Sequence, residues 1–125
     1  MAFTDAVDQA FLDYFLTTYT LYAGYGTTEP SKDGTGATEP SDAAYARVAV
    51  ESSPGMARTG SEIDNDDAIE FAEATEDQGT ITYAYLFSAE TAGNLIWFGA
   101  LTASKAVPTG STPRFPAGDF NITQS

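Results

Sequence analysis

The spacing of apolar and polar positions changes once, near residue 18. Over residues 4–16, Val7, Phe11, Tyr14 and Phe15 fall at i, i+4, i+7 and i+8, one face of an α-helix, with Asp8 and Asp13 off the stripe. Thr4 or Asp5 can cap this helix, and acids near its start suit the positive end of its dipole. A helix of about three and a half turns is marginal alone. Its aromatic face, Phe11 and Phe15 included, is therefore expected to close one end of a sheet or to insert into a neighbouring subunit.

Beyond residue 18 the period shortens to two. TYTLYAGY (18–25), AYARVAV (44–50), DAIEF (67–71) and GTITYAYLFS (79–88) read as strands. In the second, Tyr45, Arg47 and Ala49 share one face, and Ala46, Val48 and Val50 the other. In the fourth, Ile81, Tyr83, Tyr85 and Phe87 lie opposite Thr82, Ala84 and Leu86. NLIWFGALT (94–102) is apolar on both faces, as expected of a central strand or one at an interface. Two short strands follow, divided by a β-turn sequence at Pro116 to Asp119. Residues 26–42 read as a loop in which TEPS occurs twice, at 28–31 and 38–41, and residues 51–65 read as a second loop. Short strands at this spacing predict a mainly β, antiparallel β-sandwich or jelly-roll-like barrel with one short N-terminal helix. The chain of 125 residues then forms a single domain, helix at 4–16 and sandwich at 18–124.

Composition narrows the chemistry. The chain has no His and no Cys, which removes imidazole bases, thiol nucleophiles, disulfides and the usual zinc ligand sets. Catalytic residues, cofactor and metal are all expected to be none. Glu29, Asp33, Glu39 and Asp42 could gather round a cation, but their spacing matches no calcium loop, and Asp64–Asp67 lacks the EF-hand glycine and terminal glutamate. Trp97, Tyr83 and Tyr85 could stack on a sugar, although aromatics on alternating strands more often form core or subunit contacts. Pairs of acids fit for hydrolysis occur in any set of 18 carboxylates and carry no specificity.

The net charge of −13 is unevenly placed. Residues 1–90 hold 17 acids and three bases; residues 91–125 hold Asp119 against Lys105 and Arg114. The acid excess excludes binding to a phosphate backbone, and the longest apolar run, Leu95–Leu101, is far short of a membrane span. No nucleic acid and no membrane are therefore expected as partners. The N-terminal MAFTDAVDQ lacks the basic and apolar regions of a signal peptide, so the sequence suggests use in the cytoplasm or in a particle assembled there. The densest acid run, residues 61–77, reads as a solvated face; docking onto a basic partner and adaptation to molar salt, which screens like charges, are the two sharper readings. Copies so charged are expected to meet through their neutral C-terminal third, as a symmetric homo-oligomer, a trimer, with Ile96, Trp97 and Phe98 at or beside the contact.

One sequence of motifs runs through the chain: Tyr45 and Arg47 after the first loop; Phe71, Ala74, Thr75, Gly79 and Thr80 in the middle; Gly93, Leu95, Gly99, Leu101 and Lys105 near the end. In this order and spacing the chain resembles a family of small tailed-phage virion proteins, described as tail-fibre, minor tail or head-decoration proteins. It departs from the family pattern in its long TEPS loop, in Ala44 where glycine usually precedes Tyr45, and in Pro113 where a β-branched residue is usual. The resemblance implies a non-enzymatic β-sandwich located in the virion. The expected role is capsid decoration or stabilisation, with the major capsid protein as partner. A tail, baseplate or fibre component is the alternative, and a host-glycan-binding module another. Combined with the acid excess, it suggests a virus of a halophilic archaeon.

Overall fold

A computed structural model describes residues 4–18, 20–50, 56–59, 62–65, 68–116 and 120–123. Among the described residues one helix, α1 (Asp5–Thr18), precedes nine strands: β1 (Leu21–Gly26), β2 (Val48–Val50), β3 (Met56–Thr59), β4 (Glu62–Asn65), β5 (Ile69–Glu70), β6 (Thr80–Phe87), β7 (Leu95–Ala106), β8 (Arg114–Phe115) and β9 (Asn121–Thr123). They form a four-stranded sheet in the order β2-β1-β6-β7, a three-stranded sheet β3-β4-β9 and a two-stranded sheet β5-β8. Every pairing is antiparallel. The mainly β, antiparallel architecture with one N-terminal helix is as the alternation predicts; the described strands form no closed barrel.

All three sheets contribute to one core. Leu21, Ala23 and Tyr25 lie on one face of β1, beside Ala84 and Leu86 of β6, and meet Ile63, Ile69, Phe71, Phe115 and Phe120. The Tyr25 ring stands edge-on to Tyr45 and Phe71 at centroid distances of 5.0 and 4.7 Å, and Phe115 is edge-on to Phe120 at 5.2 Å. These are the off-stacked geometries that aromatic quadrupoles favour. Buried Asn65 joins two parts of this core, donating to the Pro116 carbonyl at 3.0 Å and accepting from the Phe120 N–H at 2.9 Å.

Four local expectations are corrected. The first concerns α1. Leu12 is buried at 3% exposure, whereas Val7, Phe11 and Tyr14 are exposed at 38, 47 and 63%. The inward residues are Asp8, Leu12 and Phe15: Phe15 is inward as the spacing predicts, while Asp8 and Leu12 take the places expected of Val7 and Phe11. The helix rests on the small β3–β4 hairpin, which can cover only a narrow stripe. Asp8 is consequently buried, and its Oδ1 meets no hydrogen-bond donor among the described residues, a cost of about 1–3 kcal/mol for such a group.

The second correction is that the supposed loop 51–65 contains the β3–β4 hairpin, with Arg58 opposite Ile63. Ile63 is fully buried while Glu62 is exposed, an alternation hidden in the sequence by the density of acids. Third, only residues 48–50 of the predicted strand 44–50 are extended. Asp42 turns the chain there, its carbonyl accepting from the Tyr45 N–H and its Oδ1 from the Ala44 N–H, both at 3.0 Å. Fourth, a register irregularity between Ile81 and Tyr83 puts Ile81 in the core cluster with Ala84 and Leu86, not on the face of Tyr83 and Tyr85. The predicted turn at Pro116 to Asp119 lies largely outside the described residues.

Candidate functional site

The far face of the four-stranded sheet carries Tyr83, Tyr85 and Phe87, paired with Gly26, Gly24 and Tyr22 of β1. An aromatic row beside two glycines leaves a shallow trough, and Thr28 and Thr38 of the 27–47 segment lie against it. Tyr85 is completely buried there. Its hydroxyl donates to the Thr28 carbonyl at 2.6 Å and accepts from the Thr38 N–H at 3.4 Å. Both residues open a TEPS copy, so the duplicated segments flank one tyrosine. Gly26 makes the approach possible: a Cβ at that position would lie 2.0 Å from the Thr38 carbonyl oxygen and 2.7 Å from the Tyr85 ring.

Two carboxylates hold the return arm of the loop. Glu39 accepts from Arg47 at both oxygens, Nε to Oε2 at 3.0 Å and Nη2 to Oε1 at 2.8 Å, and also from the Tyr45 hydroxyl at 2.5 Å. The other guanidinium nitrogen, Nη1, donates to the carbonyls of Ala89 and Ala92 at 2.9 and 2.7 Å, and its Cζ lies 3.5 Å above the Phe87 ring centre. Arg47 thereby ties the loop to the β6–β7 turn, where Ala92 and Gly93 both have positive φ, 55° and 71°. A planar fork of donors can make these contacts together; an ammonium cannot.

Asp42 is the second anchor. It accepts from the Thr75 N–H at 2.8 Å, the Thr75 hydroxyl at 2.5 Å, the Glu76 N–H at 3.1 Å and the Gln78 amide at 2.9 Å. Gln78 in turn accepts from the Tyr25 hydroxyl at 2.5 Å. The Thr75 hydroxyl, with the other donors, holds the Asp42 carboxyl well below the usual carboxylate range. Burial, followed by the Asp42 charge, pushes Tyr25 up to about 12. Burial and the Glu39 hydrogen bond raise Tyr45 further. Each of these shifts moves a group away from neutrality, so near pH 7 Asp42 stays ionised and both tyrosines stay protonated. The arrangement can hold backbone in place; it is poorly suited to exchanging protons.

The sequence candidates are distributed as follows. Glu29, Asp33, Glu39 and Asp42 do not converge: Glu29 accepts from the Tyr83 hydroxyl at 2.9 Å, Asp33 from Thr35, Glu39 from Arg47 and Asp42 from Thr75. No cluster of three or more possible metal ligands occurs among the described residues. The sugar-stacking platform is not assembled either. Trp97 is paired with Leu86 on the core side of the sheet, whereas Tyr83 and Tyr85 lie on the opposite side and Tyr85 is covered. Ile96 and Trp97 pack half-buried against the core, Phe98 is half-buried beside Tyr85, Phe15 touches the core, and Phe11 is exposed. Clefts of about 210 and 300 Å³ flank the Glu39 anchor, the first bordered by Thr27, Ser41 and Asp77, the second by Glu90 and Thr91.

The roles of Glu39, Asp42 and Gln78 are absent from the sequence reading. Asp42-Ala43-Ala44-Tyr45, an acid three residues before a tyrosine, was the available turn signal. Several of the motif residues, by contrast, are brought to the two anchors. Tyr45 stacks on Phe71 at 6.2 Å with planes 7° apart, Thr75 binds Asp42, Ala74 is buried, and Gly79 and Gly93 have positive φ. No curated protein matches the chain. A family described as podophage GP4 fiber I protein gp80 matches residues 2–123, almost the whole length. The order of motifs and the extent of this match have a single outcome: the chain belongs to the podophage GP4 fiber I protein gp80 family.

Proposed function

We propose that the chain is a non-enzymatic structural component of a tailed-phage fibre and is located in the virion. The family match over residues 2–123 carries this reading and favours fibre over capsid decoration. The geometry supports it. The polar residues singled out by the motifs pin a loop and a turn onto a sheet, and the groups with shifted pKa values are locked in one protonation state near neutrality. A rigid module of this kind acts through the surfaces it presents.

The test is to place the protein on purified particles by antibody-labelled electron microscopy and to count it by quantitative mass spectrometry. Label on the tail appendages, at a copy number matching the other fibre proteins, is expected. Label spread over the head at a copy number near that of the major capsid protein would replace the fibre reading with capsid decoration. The acid excess supports a salt response and gives no support to one host over another.

A further inference from the structure

We propose that the outer edge of β7 joins two copies of this chain, β7 pairing antiparallel with its own counterpart across a two-fold axis. β7 is the last strand of the four-stranded sheet and pairs on one side with β6; no described strand lies on its other side. An unpaired edge presents a row of N–H and C=O groups to any strand that approaches. The opposite edge, β2, has three residues; β7 has 12.

Common protections of such an edge are few here. LIWFGALTASKA contains no proline and one charge, Lys105, whose ammonium lies 5.3 Å over the Phe115 ring of its own chain. Irregularities against β6 occur near Ile96 and between Ala100 and Lys105, which leaves Trp97–Ala100 as the regular stretch and the natural centre of pairing. Trp97, Phe98 and Leu101 are half-buried, and Ala100 and Ala103 are exposed and small enough for a second backbone to approach.

Charge selects the occupant. Residues 91–113 contain no acid, against a net −14 over residues 1–90. A basic partner would be drawn to the acidic surface, whereas a second copy, itself at −13, meets least repulsion along this strip. The exposed Val7, Phe11 and Tyr14 stripe of α1 is flanked by Asp5 and Asp13, which would face their own copies across any two-fold contact. A strand paired with itself is an isologous contact and closes at two copies; the sequence alone had suggested three. The proposal is independent of where in the virion the chain resides.

The absence of cysteine makes the test direct. Single-cysteine variants Phe98→Cys, Ala103→Cys, Glu70→Cys and Phe11→Cys are oxidised at low concentration, and the wild type is sedimented across a concentration series. The expected result is a reversible dimer that strengthens with salt, with disulfide-linked dimer at Phe98→Cys, next to the two-fold axis, well above Ala103→Cys, whose two copies lie on opposite arms of the pair, and above the Glu70→Cys and Phe11→Cys controls. Ala100→Glu should weaken association at least tenfold while the melting point of the dilute protein is kept; if it misfolds, the cross-linking result decides. A monomer at every concentration, a mass of three copies, or cross-linking at Phe11→Cys equal to that on β7 would overturn the proposal.

Discussion

Single side chains in this protein act as fasteners, and their cost on removal follows from what they leave behind. Arg47 and Glu39 retain only 11 and 21% side-chain exposure. Arg47→Ala leaves the Glu39 carboxylate facing the Tyr45 hydroxyl and no cation, and should destabilise by about 3 kcal/mol, read as a shift in the urea midpoint. Arg47→Lys should recover only a small part, because one ammonium cannot reach both Glu39 oxygens and two carbonyls. The pH profile of stability should have two arms. Asp42, with its native pKa lowered, contributes stability that is present above the ordinary carboxylate value of about 4 and is lost as the pH falls through its lowered native value. Tyr25, raised to about 12, contributes stability that is complete below the ordinary value of about 10 and is lost as the pH rises from there through 12. Tyr45 has the same sign. Urea melts across pH should show Asp42→Asn flattening the acid arm and Tyr25→Phe flattening the alkaline one. Unchanged arms in both variants would contradict the assignment.

At the scale of elements, the two faces of α1 make opposite predictions. Leu12→Ala opens a cavity at a residue 3% exposed and should cost about 3 kcal/mol. Phe11→Ser and Tyr14→Ser, at 47 and 63% exposure, should each stay within about 0.5 kcal/mol. The helix reading from sequence gives the reverse order, so thermal melts of the three variants discriminate between them. The reason for the difference is what the helix meets. Position along the chain defines two candidate stripes one residue apart, and the width of the β3–β4 hairpin decides which is covered. Strands show the same dependence. Alternation along residues 82–87 is legible, yet Ala84 through Phe87 are all buried, because the loop 27–47 covers the face that would otherwise meet water.

For the whole molecule, charge sets the expected response to solvent. Eighteen acids against five bases repel one another, and at 1 M salt the Debye length falls to about 3 Å. Melting temperature should therefore rise between 0.1 and 3 M KCl, and a flat or falling curve would show that the carboxylates are already compensated within the fold. What the sequence by itself determined is the part governed by local period and by composition. The N-terminal helix, the antiparallel strands, the exclusion of imidazole and thiol chemistry, and the motif order shared with phage virion proteins all depend on residue type at short spacing. The tertiary structure alone decided which helix stripe is inward, that the acidic segment 62–65 is a strand, that Ile81 joins the core, and that Glu39 and Asp42 anchor the loop through donors of Arg47 and Thr75. Each of these depends on a partner far along the chain: Asp42 finds Thr75 33 residues away, and Arg47 finds Ala89 and Ala92 across more than 40. A carboxylate's role is set by the donors it faces, and those donors are brought to it by the fold.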